Sequence, residues 1–300
     1  MDRRSFIMKS CGGMILLSCP GLRAGTPDKN TRFGLVTDIH YADRKVNGTR
    51  YYDQSIAKLT EAVNIFNSEK LEFLIELGDL KDQGTNPDKT ETLTFLDQIE
   101  STLKKFNGPV YHVLGNHDMD SISKEDFLGH IRNHGKAGNK PYYSFIRNKL
   151  KFIVLDANHH EDGSDYNNGN FDWTKAFIPQ TQKEWLNHEL EESKYPVIVF
   201  SHQMLDSFSD IDKKLCVGNA DEIVNILERH KKVITVFQGH HHPGHYSYRN
   251  NIHYYTMKGM IEGSFPENSS YGIIEVQRNL NINITGFRNC GNKLMKHNHA

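Results

Sequence analysis

Short apolar runs that end in a polar turn recur along this chain. Phe33–Thr37 runs into Asp38-Ile39-His40, Phe73–Leu77 into Gly78-Asp79, and Tyr111–Leu114 into Gly115-Asn116-His117-Asp118. Val197–Ser201 runs into His202, and Val233–Gln238 into Gly239-His240-His241-His242. Runs this short, bounded by Gly, predict buried strands. Between them the apolar spacing becomes helical: Ile56, Leu59, Val63 and Phe66 within Tyr52–Ser68, then Leu93, Leu96, Ile99 and Leu103 within Thr90–Phe106. Trp185, Leu186 and Leu190 repeat it within Thr181–Ser193, as do Ile223, Ile226 and Leu227 within Asn219–His230. Strands alternating with helices predict an α/β protein with a mainly parallel layer. Tyr142–Ile146 and Lys151–Leu155 read as a hairpin. Beyond residue 245 helices disappear. Tyr246–Tyr248, Ile252–Thr256, Gly272–Val276 and Leu280–Thr285 predict a second sheet of late strands packed on the first.

No repeat or low-complexity linker interrupts residues 31–288, so one domain is expected there, followed by a tail over 289–300. The stretch 158–173 stands out as a polar insertion carrying His159, His160, Asp162, Gly163, Gly169 and Trp173. Loops of that length in a compact domain are either functional or disordered.

Composition narrows the function classes. A formal net charge of −1 with scattered Lys and Arg argues against a nucleic-acid polymer as partner. Seventeen histidines are unusual, and several fall in the turns after strands. Residues 1–25 are set apart as an export signal. Arg3-Arg4-Ser5-Phe6-Ile7 ahead of the apolar Met14–Leu17 resembles a twin-arginine signal, which implies a periplasmic or extracellular protein. The alternative is a disordered, slightly basic N-terminus. The apolar stretch falls short of the ~20 residues a membrane span needs. Leu16-Leu17-Ser18-Cys19 also matches a lipoprotein cleavage box, so membrane association is expected only through a lipid anchor at Cys19. Of the four cysteines, Cys216 and Cys290 lie beyond the signal without metal-type spacing and are expected as free thiols.

The five turns carry the chemistry. Ligands of α/β sheets bind beyond the carboxyl ends of strands. Any one of these turns could be a solvated loop. Together they deliver two Asp, one Asn and four His, a donor set suited to a two-metal hydrolase. Two divalent ions carry four positive charges, against which Asp38 and Asp79 supply two negative ones. The surplus suits an anionic phosphate. Mixed imidazole and carboxylate ligands favour manganese, iron, zinc or cobalt over calcium.

The order Asp-x-His, Gly-Asp, Gly-Asn-His-Asp, His, Gly-His-x-His resembles the calcineurin-like metallophosphoesterase superfamily over nearly the whole mature chain. The resemblance implies a four-layer α-β-β-α sandwich, the metallo-dependent phosphatase fold. It implies that Asp38, His40, Asp79 and His242 hold one metal, and that Asp79 bridges to a second completed by Asn116, His202 and His240. Sharing a carboxylate brings two ions to about 3.5–4 Å, the separation for in-line displacement by a bridging hydroxide. His117 would contact the phosphoryl oxygen or protonate the leaving group, with Asp118 orienting its ring. Purple acid phosphatases place a ligand tyrosine three residues after the bridging Asp; this chain has Asp82 there.

A narrower resemblance, to manganese-dependent ADP-ribose/CDP-alcohol diphosphatases, rests on several segments. These are Asp38-Ile39-His40-Tyr41-Ala42-Asp43, Gly48-Thr49-Arg50-Tyr51-Tyr52, Gly78-Asp79-Leu80-Lys81-Asp82, Asn219 and Gly259-Met260-Ile261-Glu262. It implies manganese and a small phosphorylated, nucleotide-derived substrate. Arg50 could then pair with a second phosphate, Tyr51 or Tyr52 could stack on a base, and Asn219 would join the substrate site. The competing reading has Thr49 capping a helix and the tyrosines packing its first turn. Export and a Gly239–His245 segment richer in His than that subfamily's usual ending keep other activities open. An exported phosphomonoesterase or nucleotidase and a cyclic nucleotide phosphodiesterase are the alternatives, with a non-catalytic scaffold the remote one.

Overall fold

A computed structural model describes residues 27–135 and 140–298. The expected export signal and Cys19 lie outside the described residues.

The apolar runs become strands buried along nearly their whole length. β1 (Thr31–Val36), β2 (Phe73–Glu76) and β3 (Val110–His112) lie parallel and side by side. β4 (Tyr143–Arg147) and β5 (Leu150–Val154) form the expected hairpin, and β6 (Val197–Ser201) and β7 (Val233–Gln238) extend it in parallel. Both faces of these strands are covered, so side chains alternate between two apolar environments. In β6, Ile198 and Phe200 point into the space between the sheets, while Val197 and Val199 meet the helices outside.

Among the described residues, five α-helices cover the outer faces. α1 (Ser55–Ser68) buries Leu59, Ala62, Val63 and Phe66 at the spacing of one helical stripe. α2 (Lys89–Leu103) starts where the Asp88 carboxylate accepts the Glu91 N–H at 2.8 Å. α4 (Gln180–Glu192) and α5 (Ala220–Arg229) complete the helices expected from periodicity. α3 (Lys124–His130) is too short to show a period, yet Ser123 and Asp126 form a capping box that marks its start.

The late strands do not form a sheet of their own. β8 (His245–Arg249) and β9 (Ile252–Thr256) extend the second sheet beside β7. β10 (Ser270–Val276), β11 (Ile282–Arg288) and β12 (Lys293–Met295) extend the first sheet beside β1. The orders are β12-β11-β10-β1-β2-β3 and β4-β5-β6-β7-β9-β8. The physical reason is edge pairing: without β10 and β9, the apolar β1 and β7 would end their sheets with open backbone groups. β12 also corrects the expected tail, because residues 293–295 pair with β11 and bury Met295.

Two six-stranded sheets between two helical layers make the four-layer α-β-β-α sandwich. An aromatic seam holds the sheets together. Phe33 stacks on Phe73 at 4.7 Å and meets Phe152 and Phe237 of the other sheet edge-on at 5.9 and 6.2 Å. Cys216 and Cys290 are buried free thiols.

Candidate metal centre

The turns after β1, β2, β3, β6 and β7 converge on one rim, and they come from both sheets. Backbone bonds zip the first two together: Asp38 N–H donates to the Gly78 carbonyl at 3.0 Å and His40 N–H to the Asp79 carbonyl at 2.9 Å. Asp38, His40, Asp79 and His240 all have positive φ, at 51°, 47°, 57° and 68°. Such values are uncommon outside glycine and cost about 1–3 kcal/mol each. Gly78 permits the close approach, since a Cβ there would stand 2.7 Å from the His202 ring.

His202 is held by its Nδ1–H, which donates to the Leu77 carbonyl at 2.8 Å; in the neutral ring the lone pair then sits on Nε2, which faces the Asp79 carboxylate. That Nε2 lies 3.1 Å from Asp79 Oδ2 and 3.9 Å from Asp38 Oδ1. His40 Nε2 lies 3.5 Å from the same Asp79 oxygen and 3.3 Å from His242 Nε2. His242 Nε2 stands 3.3 Å from Asp38 Oδ1, while its Nδ1 contacts Glu262 at 2.6 Å. Donor atoms lie within 4.8 Å of one another in the sets Asp38–His40–His242, Asp79–His202–His240 and His40–Asp79–His117. Asp79 thus faces both imidazole groups. Asn116 is buried in the 3-10 turn Asn116–Met119, beside His117, whose N–H donates to Asp79 at 2.8 Å.

These residues fit divalent cations by a property of the fold itself. Asn116 Oδ1 and His240 Nε2 are buried without a hydrogen-bond partner among the described residues, and Asp38 Oδ1 and His202 Nε2 face only other groups of the cluster. Buried polar atoms are nearly always paired, so acceptor groups gathered at one rim in this way call for a ligand that accepts lone pairs.

Charge tells the same story. Burial opposes ionisation of Asp38 and Asp79, but the His242 and His202 charges beside them hold both carboxyls well below the usual range. Burial likewise opposes protonation of His202 and His242. Asp79 overcomes it at His202, and Asp38 with Glu262 at His242, pushing both up to about 9. His240 goes the other way, to about 3, because burial and the His202 charge outweigh the two carboxylates. Without cations, protons supply the positive charge that Asp38 and Asp79 demand.

The expected role of Asp118 is corrected. Its carboxylate accepts the N–H groups of Asp79, Leu80 and Gly115 at 3.0, 2.9 and 2.8 Å, so it clamps two turns together and does not orient His117. Asp82 takes that position: Oδ1 is 3.7 Å from His117 Nδ1 and Oδ2 is 3.5 Å from His40 Nδ1. A carboxylate can sit there because a neighbouring side chain balances its charge, with Arg44 at 3.7 Å. Burial opposes the charged form of His117, but Asp79 and Asp82 raise its pKa overall. Its ring remains 27% exposed at the mouth of the centre. Lys81 fixes the turn from below, donating to the His117 carbonyl at 2.6 Å and pairing with Asp120.

The expected substrate residues divide. Arg50 lies on the His242 side, where its charge works against protonation of His242 and favours ionised Glu262. Tyr51 is half-buried beside the Lys58 ammonium, 5.9 Å from its ring centre. Tyr52 cannot stack on a base, being buried with its face covered by the Arg44 guanidinium at 4.4 Å. Asn219 is spent on structure: its amide accepts from Ile178 N–H at 3.1 Å and donates to the Ile178 carbonyl at 2.8 Å. Thr49 bonds Glu262 instead of capping a helix. Glu262, which fixes His242, could have been suspected from its place in Gly259-Met260-Ile261-Glu262; Asp82 only from its spacing after Asp79.

The family model for calcineurin-like phosphoesterases matches residues 31–244. A manganese-dependent ADP-ribose/CDP-alcohol diphosphatase from Arabidopsis thaliana is 29% identical over 288 residues, covering 82% of this chain and 91% of that protein. A 3',5'-cyclic-nucleotide phosphodiesterase from Nostoc is 25% identical, covering 73% and 74%. Among solved structures, a dimetal phosphatase from Danio rerio superposes with a TM-score of 0.76 at 20% identity, covering 90% of this chain and all of that one, which supports the fold. With the family match spanning all five donor-bearing turns up to His242, the chain belongs to the calcineurin-like phosphoesterase family.

Proposed function

We propose that this protein hydrolyses the pyrophosphate link of a nucleoside diphosphate-type compound with two divalent cations, manganese by preference. The observation that carries the reading is Asp79, whose Oδ2 faces both His40 and His202. Asp38, His40, Asp79 and His242 would hold one ion; Asp79, Asn116, His202 and His240 would hold the other. When bound, such ions supply Lewis-acid polarisation of phosphoryl oxygens and an acidified water.

The chain's own groups do the rest. Asp38 and Asp79 neutralise only half of four cationic charges, which leaves a net attraction for an anionic phosphate. His117, part-exposed and facing Asp82, holds a proton at the mouth and can deliver it to the departing oxygen. Arg50, on the His242 side, would pair with a second phosphate, which favours a diphosphate over a monoester. The curated relative named for ADP-ribose and CDP-alcohols supports the same substrate class and the choice of manganese.

The manganese-loaded protein should therefore turn over ADP-ribose or CDP-choline faster than phosphomonoesters. Turnover of monoesters alone would overturn the reading. The similarity to a cyclic nucleotide phosphodiesterase favours a second reading, and 3',5'-cyclic nucleotides belong in the same assay. We also propose export through the residue 1–25 signal, with lipid attachment at Cys19 as its variant. Retention of an Arg3→Lys/Arg4→Lys double variant inside a bacterial host would support it, and unchanged export would refute it.

A further inference from the structure

The insertion after β5 is anchored along its length. Lys124 of α3 grips it from within, donating to Asp156, the Asn158 carbonyl and Asp165 at 2.7, 3.1 and 2.5 Å. Tyr166 is fully buried beneath it, and its hydroxyl donates to the Asp172 carbonyl at 2.9 Å. Asn168 and Gly169 N–H groups donate to the Ile122 and Met119 carbonyls at 3.0 and 2.8 Å, tying the loop to the segment that carries His117. Gly169 has φ +77°, and a Cβ there would stand 2.4 Å from the Asp120 carbonyl oxygen, so the approach requires glycine. The returning chain is tied as well, by Phe177 N–H to the Ala157 carbonyl at 3.0 Å and Gly218 N–H to the Ala176 carbonyl at 2.7 Å.

This rigid loop carries two aromatic rings to the metal centre. Phe171 meets His117 edge-on at 5.5 Å, and Trp173 lies 6.0 Å from the His240 ring. The two histidines belong to different donor sets, so each ring stands beside a different part of the centre. Trp173 is 46% exposed, and among the described residues no other Trp or Phe is an exposed large apolar side chain. Burial does not explain an indole held open in this way beside a cation-binding cluster.

We propose that Trp173 is the stacking platform for the nucleobase of the substrate, and so a specificity-determining residue of this site. The proposal rests on the nucleoside diphosphate reading above. The indole offers a flat π-face one ring away from His240, where a base can lie while its phosphate reaches the cations. Stacking of this kind tolerates any base. Adenine and cytosine compounds are therefore both accepted.

The test uses the full manganese-loaded protein and compares AMP with ribose 5-phosphate, which has the phosphate and sugar but no base. W173L weakens AMP binding, measured by calorimetry, by roughly 10-fold, the scale of one base–aromatic stack. Ribose 5-phosphate affinity stays within about twofold, and W173F recovers most of the loss. In a W185F background Trp173 is the only tryptophan, and its fluorescence is quenched by AMP and not by ribose 5-phosphate. Equal loss for both ligands, or unchanged AMP affinity, overturns the proposal. Its failure is separable from that of the parent reading. Absence of ADP-ribose and CDP-choline hydrolysis by the unmutated protein refutes the substrate class, whereas hydrolysis with AMP selectivity unmoved by W173L refutes only the indole.

Discussion

Two clusters in this molecule use the same residue types for opposite ends. At the rim, Asp38, Asp79 and four imidazoles converge with donor atoms left unpaired. Beneath the insertion, Asp156, His159 and Asp165 also bring donor atoms within 4.8 Å of one another. There, however, the Lys124 ammonium sits among them, bonded to both carboxylates, so the cation is built into the chain. Ligand chemistry alone does not make a metal site. What separates the two is whether a side chain already satisfies the charge.

Breaking the rim should have the largest effect. Asp79→Asn removes the carboxylate that faces both donor sets. Turnover should fall on the order of 10³-fold or more. Metal analysis of the purified variant should show depleted cation content, and retention of full content with full activity would remove the basis of the comparison.

Breaking the other cluster should cost stability and leave metal content alone. Lys124→Met strands the buried Asp156 carboxylate, a loss of about 3–5 kcal/mol. Thermal denaturation should register a marked fall in Tm while manganese content stays at the wild-type level. Burial raises the Asp156 pKa, but Lys124 and His159 bring it below normal overall, so that carboxylate depends on its cation.

Asp82→Asn sharpens the contrast between a residue that faces an imidazole and one that clamps backbone. It should lower kcat about 10–100-fold, the usual scale for a partner of a ligand or catalytic ring. Asp118→Asn should instead lower Tm, because one of three backbone N–H groups would lose its acceptor. A kcat loss confined to the Asp118 variant would restore the role expected from sequence.

The rim should also respond to pH when its cations are removed. In chelator-treated protein, His202 and His242 titrate near 9, above the ordinary value of about 6.5 for an unfolded chain. Raised folded-state values stabilise the protein below about 6.5, and that contribution is lost as pH rises through about 9. The Tm of chelator-treated protein should fall across that window, and manganese should abolish the fall. Near neutral pH, manganese binding should also release protons, which calorimetry in buffers of different ionisation enthalpy would detect. The smallest effect is expected from Tyr52→Phe, with KM for the nucleotide substrate within about twofold, since that ring is already covered by Arg44.

Much of the rim could be read without coordinates. Each strand end supplies its candidate donors within a few residues, so the turns announce Asp38, His40, Asp79, Asn116, His202, His240 and His242 locally. Asp82 and Asp118 could not be told apart that way. They sit three residues after Asp79 and two after Asn116, and either could reach His117. For Tyr52 the sequence left stacking on a base and packing at the helix start both open, and for Asn219 it suggested the substrate site; only their neighbours reveal that both are spent on structure.

Sequence alone determined the strand–helix alternation, the helical stripes and the donor set, because periodicity and turn chemistry act over a few residues. Tertiary structure decided which sheet received β9 and β10, that Lys124 fills one cluster while the rim stays open, and that the insertion lays Trp173 beside His240. Those outcomes depend on electrostatic and steric matching between segments a hundred or more residues apart in some cases, which local patterns do not encode.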